Sequence, residues 1–240
     1  MDQGNTAFVL FSAALVLLMT PGLAFFYGGL VKAKSVVSMM MLSFGSLALI
    51  ALLWVLYGYA ITFSNEGVGN FMGIDGWFGI NLDNLGLSAA VADAAAPAGA
   101  FPELAFVAFQ ATFAIITVAL ISGAIADRAK FGAWMVFAGI WATLVYFPVA
   151  SWVFNFTLGE DLSVVDGGWI VYGLGVIDFA GGTAVHINAG AAALALAIVL
   201  GKRFGFSKGI MQPHNVPLTL IGAALLWFGW FGFNAGSELA

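Results

Sequence analysis

The sequence predicts an all-α polytopic membrane protein, and three observations support this fold class. Apolar residues make up 62% of the 240 residues and charged residues only 8%, whereas soluble globular domains average about 45–50% and about 25%. So few charges cannot cover the surface of a soluble protein of this length. The chain also contains 31 glycines, which are commoner in transmembrane helices than in soluble ones. Its apolar residues, finally, are gathered into long stretches.

Six stretches are long enough to span a membrane, because a helix that crosses the hydrocarbon core needs about 20 predominantly apolar residues. The first is not expected to be a cleaved signal peptide, since its flank has no positive charge and its apolar run is too long. The second and fourth follow short basic loops, and the third follows a long loop rich in Gly, Ala and Asp. The fifth begins at an aspartate, and the sixth ends beside a glutamate. In chain order, the predicted spans are residues 6–31, 36–63, 101–126, 131–154, 178–201 and 216–239.

The charged residues predict the orientation of these spans. Every Lys and Arg falls in alternate loops, which the positive-inside rule makes cytoplasmic, so the amino terminus is expected outside. Most acidic residues then lie on the outer side, where they either enrich cations modestly at the entrance or merely reflect the lack of basic residues. The basic residues are Lys32, Lys34, Arg128, Lys130, Lys202, Arg203 and Lys208, and the outer acids are Asp2, Glu66, Asp75, Asp83, Asp93, Glu103, Glu160, Asp161 and Asp166.

Several function classes are disfavoured by what the sequence lacks. A net charge of −5 without a basic stripe argues against nucleic-acid binding. The absence of cysteine excludes disulfides, thiolate metal sites and cysteine nucleophiles. No catalytic constellation, metal-ligand spacing or phosphate-binding glycine loop stands out. We therefore expect neither an enzyme nor a protein with a bound metal or cofactor.

Span five carries the ionisable groups of greatest interest. His186 follows the start of the predicted span by roughly 12 Å, at about 1.5 Å per residue, and ionisable groups at membrane depth are functional candidates by default. It either lines a narrow conduit or is a structural histidine bonded to a backbone carbonyl. Asp178 is either a helix cap that accepts backbone N–H groups or a fixed negative charge near an outer cation site.

Aromatic residues mark the outer halves of spans three and six. Phe106, Phe109 and Phe113 share one helical face of span three, and Phe231 and Phe233 lie beside Ser237 in span six. Such a stripe serves either helix packing or the binding of a cation, which aromatic faces attract.

Spans one and six also share a pattern that suggests an internal repeat. Identical residues recur in both at one constant offset. Because each repeat would hold an odd number of spans, the second would be inverted, which is a common plan in transporters. The matching sets are Leu18, Gly22, Phe26 and Gly29 in span one and Leu225, Gly229, Phe233 and Gly236 in span six.

Four motifs resemble the ammonium transporter (Amt/Mep/Rh) family, and their order and spacing match along essentially the whole chain. They are TPGLAFFYGGLV at 20–31, FQATF at 109–113, DFAGGTAVHIN at 178–188 and WFGFNAGS at 230–237. The resemblance implies an eleven-span fold made of an inverted five-plus-five repeat and assembled as a homotrimer. This chain would then hold the first five-helix repeat and the first helix of the second, as the amino-terminal portion of a single transmembrane domain.

The resemblance also implies a role for each site residue. Phe113 and Phe233 match the stacked pair that closes the outer mouth, and Ser237 matches the hydroxyl that contacts the recruited ammonium. Phe154 stands where the family typically has a vestibule Trp, which offers a stronger cation–π face than Phe. The remaining roles are the acid below the vestibule at Asp178, the first of two pore histidines at His186, and lining positions at Phe109 and Trp230.

The expected function is therefore that of an ammonium transporter or ammonia channel, with methylammonium as a substrate analogue. The cation would be recruited at the aromatic vestibule and deprotonated, and neutral ammonia would pass a hydrophobic, histidine-lined pore. An ammonium sensor with the same binding site is the alternative. The resemblance further implies a multi-pass protein of the cell membrane and a PII-type signal protein that docks on its cytoplasmic face.

Overall fold

The computed structural model describes residues 2–64, 69–71, 74–91, 101–158, 164–203, 205–208 and 212–239. Within them, six helices are long and apolar enough to cross a membrane, which confirms the all-α polytopic fold class. Glu66, Asp93, Glu160 and Asp161 of the predicted outer loops lie outside the described residues. The six spans are, in order, Gln3–Leu30, Ala33–Thr62, Glu103–Ile125, Phe131–Phe154, Gly182–Leu200 and Val216–Glu238.

Several spans combine α-helix with other helical turns. The α-helices are α1 (Gln3–Leu30), α2 (Val36–Leu53), α3 (Tyr59–Thr62), α4 (Ser88–Val91), α5 (Glu103–Ile121), α6 (Phe131–Trp141), α7 (Phe147–Phe154), α8 (Asn188–Leu200) and α9 (Val216–Ala235). Wide π-helical turns lie at Trp54–Gly58, Ala142–Tyr146, Trp169–Gly173 and Gly182–Ile187. Short 3₁₀ segments lie at Ala33–Ser35, Leu82–Leu87, Ser122–Ile125, Phe206–Lys208 and Gly236–Glu238. Single π-helical turns occur often at functional sites, and the last of the four contains His186.

Two short antiparallel hairpins lie in the connections after spans two and four. Phe71 is opposite Ile74 in the first, and Thr157 is opposite Asp166 in the second. The sequence pattern predicts only loops here, because strands of three to five residues are too short to show an apolar period. The strands are β1 (Gly69–Phe71), β2 (Ile74–Phe78), β3 (Phe156–Leu158) and β4 (Val164–Gly167).

Spans one and six pack against each other through glycine along most of their length. A Cβ added at Gly222 would lie 2.2 Å from the Phe26 backbone nitrogen, and one added at Gly29 would lie 2.6 Å from the Thr219 backbone nitrogen. Only glycine permits so close an approach of two helix backbones. All four glycines of the internal pattern lie in this interface, so close packing gives a physical reason for the matching residues.

The ends of the spans that carry the basic residues are fastened to one another. We call this end of the bundle, marked by Lys32, Lys34, Arg128, Lys130, Lys202 and Arg203, the basic end. The Arg128 side chain donates to Gly201 O over 2.5 Å and also to Ala124 O. The backbone N–H of Asn215 donates to Gly29 O, and its side chain caps span six by accepting from Leu218 N. These bonds satisfy helix-terminal groups that would otherwise lack partners.

Span three lies at the centre of the bundle, whereas spans five and six expose most of their length. Aromatic side chains of span two hold it there. The Trp54 indole donates to Val107 O over 3.1 Å, and the Tyr59 hydroxyl donates to Glu103 Oε1 over 2.7 Å. Span three, which carries Phe109 and Phe113, is therefore fixed relative to its neighbours.

Candidate functional site

Two phenylalanine rings from different spans form the centre of the site. The ring centroids of Phe113, in span three, and Phe233, in span six, lie 4.4 Å apart at an interplanar angle of 35°. Both side chains are nearly inaccessible, at 2% and 1% exposure. The two rings therefore form a closed apolar contact between spans three and six, at positions that the sequence analysis assigns to a stacked pair.

Two further rings extend this pair within spans three and four. Phe109 approaches Phe113 edge-on at 4.9 Å, and Phe154 approaches it edge-on at 6.4 Å. Phe154 is only half-buried, so part of its surface is accessible beside the closed pair. The structure therefore brings together the aromatic residues expected to form an outer vestibule.

Ser237 lies one helical turn beyond Phe233 and is also half-buried. Its hydroxyl donates to Phe233 O over 2.8 Å. Because the hydroxyl hydrogen is used there, the oxygen of Ser237 is left to act as an acceptor. Span six can approach span three here because Gly236 has no side chain, since an added Cβ would lie 2.9 Å from Phe109 Cε2.

On the opposite side of the closed pair, the aromatic contacts continue to His186. Trp230 stacks on Phe233 with a centroid distance of 5.0 Å, and His186 stacks on Trp230 at 5.4 Å and 12°. Phe113, Phe233, Trp230 and His186 thus form a continuous series of ring contacts from spans three, six and five. We call these four residues the ring series.

His186 is exposed in this chain. Neither of its ring nitrogens is hydrogen-bonded to any residue that the structure describes. The alternative of a structural histidine bonded to a backbone carbonyl therefore finds no support among those residues. Stacking on Trp230 fixes the plane of the imidazole, and both nitrogens remain free to contact a small polar molecule.

The carboxylate of Asp178 caps the turn that carries His186. Oδ1 accepts from the backbone N–H groups of Gly181 and Gly182, each over 2.7 Å. Oδ2 accepts from those of Thr183, over 2.7 Å, and Ala184, over 3.0 Å. A carboxylate offers about four lone-pair sites, and all are used here. The expected capping role is present, whereas direct coordination of a cation would have to displace one of these bonds.

Span five begins later than the sequence predicts, at Gly182 instead of residue 178. The cap lies outside the helix, and Gly181 adopts φ +99° at the junction, a conformation that glycine adopts most readily. His186 therefore lies only about 6 Å along the helix from its first residue. An added Cβ at Gly181 would also lie 3.7 Å from Phe233 Cζ, so the junction packs near the closed pair.

Two aromatic residues noted in the sequence lie away from the ring series. Phe106 packs edge-on against Phe63 at 4.9 Å, as part of the core that supports span three. Phe231 is 65% exposed because two residues along a helix turn the side chain about 200° away from Phe233. The sequence analysis did not single out Tyr59, whose bond to Glu103 holds the first turn of α5, and no local motif marks that pair.

Comparison with known proteins identifies relatives of this chain. Residues 7–240 match the family model described as Ammonium Transporter Family. The chain is 58% identical to an ammonium transporter of Mycobacterium tuberculosis (strain ATCC 25618 / H37Rv), over 98% of this chain and 50% of that protein. It is 48% identical to an ammonium transporter of Bacillus subtilis (strain 168), over 100% of this chain and 54% of that protein. The chain thus spans about half the length of these curated relatives.

Solved structures give the same picture. The crystal structure of Saccharomyces cerevisiae Mep2 superposes with a TM-score of 0.82 at 34% identity, over 100% of this chain and 50% of that chain. A structure described as Sensor Amt Protein superposes with a TM-score of 0.81 at 28% identity, over 98% of this chain and 55% of that chain. Mep2 and a protein described as a sensor therefore share this fold.

Proposed function

Because this chain belongs to the ammonium transporter family, we propose that its ring series forms part of the pathway by which ammonium enters the cell as ammonia. The supporting observation is the unbroken set of ring contacts from Phe113 to His186, with centroid distances of 4.4, 5.0 and 5.4 Å. An apolar closed pair followed by an imidazole with free nitrogens suits a small molecule that is neutral when it crosses.

The physical problem is to separate ammonium from potassium, which has the same charge and a similar size. An apolar constriction excludes both ions, since burying a bare charge without partners costs far more than binding can return. Only ammonium can cross, because it can release a proton and become neutral ammonia. Loss of water around the cation favours the neutral form, so the pathway selects by chemistry and needs no size filter.

Recruitment of the cation takes place at Phe113, Phe154 and Ser237. Aromatic faces attract a cation with about 0.5–2 kcal/mol, depending on how far it is desolvated. The Ser237 oxygen accepts an ammonium N–H, because its own hydrogen is directed to Phe233 O. Phe154 lowers the affinity of the site relative to a tryptophan at that position.

Passage beyond the outer site requires the closed pair to open. The rings of Phe113 and Phe233 are in contact at 4.4 Å and leave no path between them. Rotation of one ring about its side-chain torsions admits a molecule as small as ammonia, and the ring then returns to contact. The gate thus excludes water and hydrated ions for most of the time.

His186 receives the neutral molecule on the far side. Its imidazole offers one N–H donor and one nitrogen acceptor when neutral, and ammonia can use both. The stack on Trp230 and the Asp178 cap together hold the ring in place. The proton is released to the water of the outer vestibule, so only ammonia passes the closed pair.

The full-length protein is the unit that performs this transport. We propose that it is a homotrimer in the cell membrane, with its amino terminus outside and its basic end in the cytoplasm, where a PII-type signal protein docks. The chain then forms part of one transmembrane domain, as its first inverted repeat and the first helix of the second.

An ammonium sensor is the second candidate function. It is favoured by the superposition on the structure described as Sensor Amt Protein. A transporter accumulates substrate in the compartment behind the membrane, whereas a sensor only binds it. Uptake assays therefore separate the two functions.

The test is uptake of labelled methylammonium by proteoliposomes that contain the full-length protein. Replacing the imidazole in the variant His186→Leu should abolish uptake or admit potassium. The matched control is His214→Gln, which removes the imidazole at the basic end and keeps a polar group for its partner, Val31 O. Unchanged uptake and selectivity in His186→Leu would remove this residue from the pathway. Wild-type binding without uptake would favour the sensor.

A further inference from the structure

Gln110 is a buried polar residue of span three that the proposed pathway does not use. Its side chain is 8% exposed, and its amide makes no hydrogen bond to any residue that the structure describes. Buried polar side chains are usually hydrogen-bonded, so an amide without a partner requires an explanation. Neither amide atom is fully enclosed by protein, so a small polar ligand can reach this end of the side chain.

Helix geometry places this amide beside the closed pair. Gln110 precedes Phe113 by three residues, so the two side chains point about 60° apart around span three. The Phe113 ring contacts Phe154 at 6.4 Å and Phe233 at 4.4 Å. Gln110 therefore lies near the junction of spans three, four and six, where recruitment of the cation is proposed.

The direction of the spans places Gln110 on the same side of the closed pair as Ser237. Span six begins at the basic end, and span three ends there. A residue earlier than Phe113 in span three and one later than Phe233 in span six are therefore both farther from the basic end than the two rings. Helical side chains also lean toward the first residue of their helix, which carries the Gln110 amide farther in the same direction.

We propose that Gln110 is a second hydrogen-bond acceptor for the recruited cation, an inference that rests on the proposed function. Both ammonium and methylammonium carry more N–H groups than the single Ser237 oxygen can accept. The Gln110 amide oxygen accepts another of them, while the aromatic faces contact the rest of the cation. An amide oxygen has two lone pairs and serves this role without a change of charge. Gln110 thus determines how tightly the cation is held, and not how ammonia crosses.

The test is the concentration dependence of methylammonium uptake by proteoliposomes that contain the full-length protein. Gln110→Met keeps the length of the side chain and removes the amide. A hydrogen bond to a charged group contributes about tenfold or more to an equilibrium, so KM should rise roughly tenfold, while the maximal rate should change by less than about twofold. A purely structural role would instead lower the maximal rate and the melting temperature and leave KM unchanged.

Two further variants make the result specific. Gln110→Glu keeps an acceptor oxygen at the same distance from the backbone and should bind methylammonium at least as tightly as the wild type. The matched control is Ser122→Ala, near the basic end, which removes another buried polar group of span three that has no partner among the described residues. It should leave KM unchanged.

An unchanged KM in Gln110→Met, or a raised KM in Gln110→Glu, would overturn the proposal, and the second result does so even if the methionine variant fails to fold. These outcomes are separable from the test of the proposed function. Loss of uptake in His186→Leu with an unchanged KM in Gln110→Met would keep the pathway and reject this role of Gln110. Normal uptake and selectivity in His186→Leu with a raised KM in Gln110→Met would keep the binding contact and reject the pathway.

Discussion

The Asp178 cap gives the sharpest test of how span five holds His186. The change is Asp178→Asn, which keeps the size of the side chain and replaces one acceptor oxygen by an NH₂ group. The remaining oxygen can still accept from two of the four backbone N–H groups. The other two, those of Thr183 and Ala184 in the wild-type pairing, would face a donor instead of an acceptor.

The structure sets the magnitude of this effect. A hydrogen bond to a charged group contributes about 1.5–3 kcal/mol, so the loss of two such bonds costs at least about 3 kcal/mol. A difference of 1.4 kcal/mol is tenfold in an equilibrium, and the capped turn should therefore open roughly a hundredfold more often. Because Gly182–Ile187 carries His186, methylammonium uptake should fall by the fraction of molecules in which the turn is open.

Hydrogen exchange measured by mass spectrometry reports this opening directly in the full-length protein. Amides 181–184 should exchange roughly a hundredfold faster in Asp178→Asn. The control Asp166→Asn removes a carboxylate whose one hydrogen bond among the described residues is from the neighbouring N–H of Gly167, in an exposed turn. It should leave exchange at 181–184 and uptake unchanged.

Two outcomes would refute the capping account. Loss of uptake with unchanged exchange at 181–184 would mean that Asp178 acts by its charge alone, in which case Asp178→Glu should restore transport. Exchange fast enough to show that the turn is mostly open, together with normal uptake, would mean that the position of His186 does not matter for transport.

Two further predictions concern the outer site and the packing of spans one and six. Phe154→Trp should strengthen binding of methylammonium at the outer site by up to about fivefold, since indole offers the better cation–π face; competition assays with unchanged affinity would place the site elsewhere. Gly222→Ala should lower the thermal stability of the full-length protein, because the new methyl would lie 2.2 Å from the Phe26 backbone nitrogen and overpacking costs about 1–3 kcal/mol. Gly132→Ala, in span four away from the ring series, is the matched control, with nothing within 4 Å of the new methyl, and equal melting temperatures for the two variants would contradict the packing argument.

The fold class follows from the sequence because length and hydropathy determine it directly. A bilayer requires about 20 apolar residues in each helix, and no tertiary contact is needed to recognise such a run. The start of span five differs for a physical reason. The side chain of Asp178 accepts from backbone N–H groups three to six residues ahead, and Gly181 adopts φ +99°. The helix therefore begins after Gly181, although the apolar stretch begins earlier.

The ring contacts are only partly readable from sequence. Spacing places Phe109 and Phe113 on one helical face, yet it equally places Phe106 there, and only tertiary packing turns that ring toward Phe63. The contact between Phe113 and Phe233 joins spans far apart in the chain, and no local period encodes it. It is anticipated through the family resemblance of the motifs that contain the two residues.

The central claim is that only a molecule that has shed its charge passes the ring series. Electrical recordings and uptake from the same proteoliposomes, with the full-length protein, test it most directly. We expect methylammonium uptake that depends on external pH. We also expect no current when potassium is the only cation in solution. A potassium current through the wild-type protein, or uptake that is the same at every pH, would contradict the account.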